Sequence, residues 1–271
     1  MRDEADCVTA SFVVGYRSDR LGAHDPPERI AAFVNADPDR RLGVAGIDPL
    51  ASSAFDDLAG ARELGLVGVA LAPADQGCRP THERFVRVLE WCAEHGTPVF
   101  VNNPGLTRRE SVMEFARPSL LDDALRGVEG LTIVLGDLGR VFLDEALILC
   151  TKHERCFAEI STLIRRPGAL YGGLLAAHEC QVAHKLLFGS GFPGERPERA
   201  IERLYSANSV TGGPVGGGGG GWPMVPREAL RGIVERDALR ALGVDAIVGG
   251  PAGPPAPARR TGASLAPNGM A

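Results

Sequence analysis

Three apolar runs of the sequence end in polar and small residues whose side chains could do chemistry. The runs and the residues that follow them are 98–101 with Asn102 and Asn103, 132–135 with Gly136 and Asp137, and 186–188 with Gly189 and Ser190. An apolar run that breaks into Gly, Asn or Pro is typical of a buried strand that ends in a sharp turn. A carboxylate in such a turn can move a proton or bind a hard cation, and an amide can hydrogen-bond a substrate.

Two carboxylates are the candidate catalytic residues. Asp137 lies between Gly136 and Leu138, where it could bind a cation, act as a general base, or cap the following helix. Glu159 lies at the end of a further apolar run, and its side chain points either into the interior of the protein or to solvent. The sequence leaves these alternatives open for both residues.

Four residues are candidates for substrate binding. Arg17 follows the first apolar run and could hold a substrate carboxylate through two parallel hydrogen bonds. Asn102 and Asn103 precede Pro104, so they suit either a turn or hydrogen bonds to a substrate. Ser190 has no convincing base nearby in the sequence, which disfavours a Ser-His-Asp arrangement and leaves substrate binding as its candidate role.

The elements that must position these residues alternate along the whole chain. The predicted strands are 9–15, 42–47, 67–71, 98–101, 132–135, 156–160 and 186–188. The predicted helices are 28–35, 55–64, 81–96, 120–125, 142–150, 170–183, 198–205 and 227–242. Because the strands are apolar throughout rather than on one face, they predict a parallel sheet covered by helices.

The predicted fold class is α/β, a TIM-barrel-like (β/α)8 fold that lacks the first strand at the N-terminus. The pattern supplies seven strands, whereas a closed barrel of this class has eight. Met1 lies only a few residues before the first predicted strand, so the missing strand is expected at the front. Either the start of the chain was assigned too far downstream, which we expect, or the barrel is open and leaves two strand edges unpaired.

Composition narrows the class of partner. The chain has 271 residues, of which 44% are hydrophobic and 23% charged, and its formal net charge is −5, which is ordinary for a soluble globular protein. The arginines are scattered among acids, which disfavours nucleic acid, and no apolar run approaches the roughly 20 residues of a membrane span. The acidic start is not a signal peptide, and six cysteines without a C-x-x-C pair are expected to be reduced and mostly buried. We therefore expect a cytoplasmic protein whose partner is a small molecule.

One barrel domain is predicted over residues 1–248, with two segments outside the strand and helix pattern. Residues 212–221 contain an unbroken run of glycines from Gly216 to Gly221, which predicts a flexible surface loop. Residues 249–271 are rich in Pro, Ala and Gly and predict a disordered tail.

The three strand exits resemble those of the amidohydrolase-related family, a branch of the metal-dependent amidohydrolase superfamily that includes lactone hydrolases and aromatic-acid decarboxylases. Further similar motifs, in the same order over about residues 13–244, are Gly43-Val44-Ala45-Gly46-Ile47-Asp48-Pro49, Glu159-Ile160-Ser161 and Val225-Pro226-Arg227-Glu228. The resemblance implies the barrel fold and a hydrolase- or decarboxylase-type activity on a small carboxylate- or amide-bearing molecule. It also allows a homodimer.

The sequence departs from this family at the residues that would bind a metal. Asn102 or Asn103 and Asp137 stand where the family has its two later histidines, and Gly191 stands where it has an aspartate. The family's first ligand pair belongs to the strand that is missing here. A catalytic zinc needs several converging ligands and an open position for water. A divalent metal such as zinc is thus implied by the resemblance but not supported by the ligands present, and the cofactor stays unknown.

Two functional hypotheses remain. In the first, the chain is an enzyme in which Asp137 and Glu159 are catalytic and residues such as Asn102 orient the substrate. In the second, it is a catalytically inactive family member that uses the same barrel to bind a small molecule or to act as a scaffold. Schiff-base chemistry is disfavoured because Lys152 and Lys185 lie at predicted helix–strand junctions away from the strand exits.

Overall fold

The computed structural model describes residues 7–211 and 223–245 of the chain, and its centre is a curved parallel sheet. In chain order, the strands of the described residues are β1 (Ser11–Val14), β2 (Arg17–Ser18), β3 (Ala23–His24), β4 (Arg41–Gly46), β5 (Gly68–Leu71), β6 (Val99–Val101), β7 (Ile133–Leu135), β8 (Cys156–Glu159) and β9 (Leu186–Leu187). Seven of them form one sheet in the order β1-β4-β5-β6-β7-β8-β9, with every neighbouring pair parallel. The seven predicted strands are therefore all present.

Helices connect successive strands of this sheet and cover its outer face. In the described ranges they are α1 (Pro27–Val34), α2 (Ala54–Glu63), α3 (Pro73–Gln76), α4 (Glu83–Glu94), α5 (Asp122–Gly127), α6 (Leu143–Lys152), α7 (Pro167–Glu179), α8 (Pro197–Tyr205), α9 (Arg227–Val234) and α10 (Ala238–Leu242). Four of these helices begin with proline, which lacks the N–H that a first helical residue would leave unpaired.

Side chains alternate between the two faces of each strand and form two apolar layers. The inner layer, within the curve of the sheet, contains Val44, Phe100 and Val134, and is joined by Leu242 and Val244 from the end of the described chain. The outer layer packs the other strand face against the helices. Four of the six cysteines are buried, in agreement with the sequence: Cys78, Cys92, Cys150 and Cys156. This architecture confirms the predicted TIM-barrel-like α/β class.

The sheet is a half-barrel with two edges. β1 and β9 are its outermost strands, and no eighth strand joins them within residues 7–211 and 223–245. Val14 at the end of β1 is 45% exposed, as expected at an edge without a neighbour. None of the helices in these ranges has the length and apolar character needed to cross a membrane. The predicted loop 212–221, the tail 249–271 and the domain end at 248 lie outside the described residues.

Two helix predictions need correction. The single helix predicted over 227–242 is two helices, α9 and α10, because the Asp237 side chain caps α10 by accepting a hydrogen bond from the Arg240 N–H at 3.0 Å. The helix predicted over 170–183 is α7, which ends earlier because Gln181 has a left-handed φ of 60°. The antiparallel ribbon of β2 and β3 and the short α3 have no counterpart in the prediction, since segments this short show no periodicity.

Candidate functional site

The segment after β7 is a left-handed turn that places two charged residues at the carboxyl end of the sheet. Asp137, Leu138, Gly139 and Arg140 have φ values of 54°, 48°, 72° and 54°. For residues other than glycine this conformation costs about 1–2 kcal/mol each. A hydrogen bond from the Arg140 N–H to the Asp137 carbonyl (2.8 Å) and the burial of Leu138 stabilise the turn. Backbone strain of this kind is concentrated at functional sites.

Glu159 ends β8 and lies on the inner face of the sheet, two residues after Phe157 of the inner layer. Its carboxylate accepts two backbone hydrogen bonds, from the Asp137 N–H to Oε1 (2.6 Å) and from the Ser161 N–H to Oε2 (2.7 Å). Of the two orientations that the sequence left open, the structure therefore has the inward one. The side chain is half-buried at the mouth of the barrel.

Asp137 is buried, with 3% of the residue exposed, and its carboxylate lies beside Glu159. Its Oδ1 accepts hydrogen bonds from the Ser161 hydroxyl (3.3 Å) and the Thr162 N–H (3.1 Å). Within the described residues its Oδ2 has no hydrogen-bond partner. Asp137 does not cap the following helix, whose N-cap is Phe142, so that alternative is wrong.

Burial and the neighbouring Asp137 carboxylate change the pKa of Glu159. Burial first, and then the negative charge of Asp137, raise the pKa of Glu159 from its ordinary 4.5 to about 7. The backbone hydrogen bonds from Asp137 and Ser161 favour the charged form, but they do not cancel this rise. A carboxyl group with such a pKa can give and take a proton near neutral pH.

Two glycines on the inner face make room for polar side chains. A Cβ on Gly189 would lie 2.8 Å from Glu159 Oε2, and a Cβ on Gly136 would lie 2.9 Å from Asn102 Oδ1. Asn102 and Glu159 therefore lie on either side of β7, inside the mouth of the half-barrel. The Asn102 side-chain amide makes no hydrogen bond in the described part of the chain, so it is available to a ligand.

A cleft opens between the exits of β6 and β7. It is lined by Asn102, Asp137 and apolar side chains that include Leu106, Phe115 and Leu121. Its cavity volume is small, about 30 Å³, and the cleft is open to solvent.

Two arginines also line this cleft, and their charges are balanced differently. Arg117 forms an ion pair with Glu145 of α6. Arg140 has no carboxylate partner among residues 7–211 and 223–245; its Nη1 donates a hydrogen bond to the Asn103 carbonyl at 3.1 Å. Of the two arginines, Arg117 is therefore neutralised by an acidic side chain and Arg140 is not, within the described residues.

A second buried carboxylate, Asp75 of α3, lies after β5. It accepts hydrogen bonds from the Tyr16 hydroxyl (3.1 Å), the Ser111 hydroxyl (2.5 Å) and the Gly105 N–H (2.8 Å). Burial, and then the Asp75 charge, raise the pKa of Tyr16 to about 12, so the phenol keeps its proton and donates it. This cluster joins the segment 105–111 to α3 across the mouth of the barrel.

Arg17, predicted to bind substrate, is already paired within the protein. Its Nη1 lies 2.5 Å from Asp57 Oδ2 and its Nε 2.9 Å from Asp19 Oδ1, and its side chain is 11% exposed. A further hydrogen bond runs from Nη2 to the Ser53 hydroxyl (3.3 Å). The donors that a substrate carboxylate would need are therefore occupied.

Two other predicted binding residues accept hydrogen bonds from the protein backbone, Asn103 from the exit of a neighbouring strand and Ser190 within its own turn. The Asn103 side-chain oxygen accepts a hydrogen bond from the Ala74 N–H at 2.8 Å. The Ser190 hydroxyl oxygen accepts one from the Phe192 N–H at 3.3 Å. Of the predicted binding set, only Asn102 has its side-chain amide free of hydrogen bonds within the described ranges.

The donors at these strand exits do not fit a catalytic metal centre. In the described residues no three His, Cys, Asp or Glu side chains converge on a point where a metal ion could bind. Asp137 and Glu159 lie together, but Gly191 offers no ligand atom, and its φ of 64° disfavours any other residue. No catalytic step is therefore assigned to a metal.

The fold and this site define a TIM-barrel-like α/β protein with paired carboxylates at the carboxyl end of its parallel strands. More specifically, the chain belongs to the amidohydrolase family, whose model matches residues 4–244. No curated protein matches the chain by sequence.

Several solved structures share the fold. An uncharacterised TIM-barrel protein from Bordetella bronchiseptica is 19% identical with a TM-score of 0.71, over 90% of this chain and 82% of that one. A probable 2-pyrone-4,6-dicarboxylic acid hydrolase from Acinetobacter baumannii is 16% identical with a TM-score of 0.62, over 89% and 87% of the two chains. A dihydroxybenzoic acid decarboxylase from Polaromonas sp. JS666 is 15% identical with a TM-score of 0.56, over 80% and 74%. At these identities the likeness shows a common fold.

Sequence reasoning misses Asp75 and Arg140, for different reasons. Asp75 follows a predicted strand and Pro73, so the strand-exit signal that identifies Asp137 could also have found it. Arg140 acquires its position from a left-handed turn in which only Gly139 is a residue that favours positive φ. That turn has no clear sequence signature.

Proposed function

We propose that the chain is a hydrolase- or decarboxylase-type enzyme that acts on a small carboxylate- or amide-bearing molecule. The observation that carries this proposal is the pair of Asp137 and Glu159 at the exits of β7 and β8, where the pKa of Glu159 rises to about 7. A carboxyl group such as Glu159, with a strongly raised pKa at the mouth of a barrel, is suited to general acid–base catalysis.

In this mechanism Asp137 meets the substrate from the cleft. Its Oδ1 is held by Ser161 and Thr162, while its Oδ2 has no partner among the described residues and is the oxygen that accepts a proton from water or substrate. Glu159 lies on the inner face of β8. With a pKa of about 7, its carboxyl group holds a proton below that pH and releases it above that pH. Asn102, on the other side of β7, orients the substrate through its amide.

The structural neighbours support this class of reaction. One is described as a probable 2-pyrone-4,6-dicarboxylic acid hydrolase and others as decarboxylases of dihydroxybenzoates. These descriptions select two reaction types to test, release of CO2 from an aromatic acid and hydrolysis of a cyclic ester. Membership of the amidohydrolase family is consistent with both.

A second candidate is a catalytically inactive member that binds a small molecule or acts as a scaffold. The observation that favours it is that three of the four carboxylate oxygens of Asp137 and Glu159 accept hydrogen bonds from the protein. Carboxylates engaged in this way also stabilise strand exits without any chemistry.

The test is a panel of aromatic carboxylic acids and pyrone lactones, with product formation followed by NMR. We expect at least one member to turn over, and Asp137→Asn and Glu159→Gln each to lower kcat by about 100-fold or more. Asp144→Asn, a change at an exposed position of α6, is the matched control and should leave kcat unaltered. Absence of turnover across the panel, or turnover indifferent to both site changes, would favour the inactive member.

A further inference from the structure

Arg140 is a cation without an acidic partner among the described residues. It lines the cleft between the exits of β6 and β7, and no acidic side chain in residues 7–211 and 223–245 pairs with it. Arg17 pairs with Asp57, and Arg117, in the same cleft, pairs with Glu145. An arginine in the wall of a cleft that has no acidic partner among the described residues is suited to bind an anionic group of a ligand.

The backbone holds this arginine in place. Arg140 is the last residue of the turn, with φ of 54° and ψ of −102°. Residues other than glycine rarely adopt this backbone conformation. The Asn103 carbonyl accepts one hydrogen bond from Nη1 and fixes the guanidinium across the cleft. Nε and Nη2 then remain as a pair of parallel donors, the geometry with which arginine binds a carboxylate.

The rest of the cleft has the chemistry of a planar organic ligand. Leu106, Phe115 and Leu121 supply apolar surface, and the Asn102 amide supplies an unused donor and acceptor. The cavity is small, about 30 Å³, and open to solvent, so it would enclose only part of a ligand, and the apolar side chains in its wall would contact a ring.

We propose that Arg140 is the specificity-determining residue of this site and binds the carboxylate of a planar organic acid through Nε and Nη2. The inference rests on the proposed function, because it names the substrate class of the same site. It also transfers to Arg140 the carboxylate-binding role that the sequence suggested for Arg17. The ligand lies with its charged end at Arg140 and its apolar body against Leu106 and Phe115.

The experiment is calorimetric titration of the purified full chain with benzoate and with benzamide, a neutral molecule of the same shape. The variants are Arg140→Gln, Arg140→Lys and, as a control away from the cleft, Arg29→Gln at an exposed position of α1. Gln and Lys retain the strained backbone of residue 140, and thermal unfolding verifies that all three variants are folded.

We expect the wild type to bind benzoate at least about tenfold more tightly than benzamide, since a hydrogen-bonded charge pair is involved. Arg140→Gln should abolish this preference, Arg140→Lys should keep part of it because lysine lacks the planar fork, and Arg29→Gln should keep it within about twofold. Equal binding of the two molecules by the wild type, or an unaltered preference in Arg140→Gln, would overturn the proposal.

Binding and turnover separate this inference from the proposed function. If Arg140 selects benzoate but no acid or lactone is turned over, the catalytic proposal fails and the binding site stands. If turnover depends on Asp137 while benzoate binding is indifferent to Arg140, the catalytic proposal stands and this inference fails.

Discussion

Two buried aspartates at the mouth of the half-barrel, Asp75 and Asp137, have opposite relations to their surroundings. Both carboxylate oxygens of Asp75 accept hydrogen bonds, from two hydroxyls and a backbone N–H. The residue lies in the short helix α3, which has ordinary helical backbone geometry. Asp137 has one oxygen engaged, lies in a left-handed turn, and stands beside a carboxyl group, Glu159, whose pKa is raised to about 7. A carboxylate with all its hydrogen bonds satisfied stabilises the fold, whereas the strained and incompletely satisfied Asp137 is the group on which the proposed function rests.

The largest expected effect concerns the satisfied aspartate. Asp75→Ala leaves Tyr16, Ser111 and the Gly105 N–H without their shared acceptor, so we expect the free energy of unfolding to fall by about 3 kcal/mol. Urea denaturation measures this loss. Asp144→Ala, at an exposed position, should cost less than about 0.5 kcal/mol, and a comparable cost in both variants would remove the distinction between the two aspartates.

The next effect concerns pH and Glu159. Because its pKa is raised from 4.5 to about 7, the folded protein binds more protons than the unfolded chain in this interval, and this contribution to stability is lost as the pH rises through 7. We expect the free energy of unfolding of the wild type to fall between pH 5 and pH 8. In Glu159→Gln this fall should be smaller by about 2 kcal/mol. Urea denaturation at the two pH values checks this difference. An identical pH dependence in the variant would show that Glu159 has an ordinary pKa; Glu90→Gln on the exposed side of α4 is the control.

Gly189→Ala tests the packing around the same carboxylate. The new methyl group would lie 2.8 Å from Glu159 Oε2 and push it from the Ser161 N–H, so we expect a loss of about 1–2 kcal/mol in the free energy of unfolding. Gly172→Ala, inside α7 with open space at its Cβ, should instead stabilise the protein by about 0.5–1 kcal/mol. Thermal or urea denaturation distinguishes opposite signs, and stabilisation by both changes would contradict the packing described here.

The smallest effect isolates the strain in the turn. Arg140→Gly relieves a positive φ of 54° and should stabilise the protein by about 1 kcal/mol while abolishing the preference for benzoate over benzamide. Gln181→Gly relieves a φ of 60° after α7 and should stabilise it similarly with no effect on binding. Denaturation and calorimetry together test this. Destabilisation by Arg140→Gly would mean that the arginine serves the fold rather than a ligand.

Apolar runs and their alternation with helices were sufficient to predict all seven strands of the sheet. The reason is that a parallel strand buried on both faces needs a continuous apolar segment. Segments such as Ile133–Leu135 are apolar along their whole length and too short for a helix. The break between α9 and α10 was not predictable in the same way, because the cap at Asp237 interrupts a periodicity that continues on both sides.

The candidate site was predictable only in part. Asp137 and Glu159 follow apolar runs, and parallel strands bring such exits to one end of the sheet. The pairing of Arg17 with Asp57 depends on contacts 40 residues apart, and the position of Arg140 depends on a strained turn. Neither contact can be read from the local sequence, so the proposal for Arg140 depends on the structure.

The most direct test of the central claim is a pH titration of the Glu159 carboxyl carbon by 13C NMR, in the wild type and in Asp137→Asn. We predict a midpoint near pH 7 in the wild type, and a lower midpoint in the variant because the neighbouring negative charge is gone. A midpoint near the ordinary value of 4.5 in both proteins would contradict the account and leave Asp137 and Glu159 as structural residues of the strand exits.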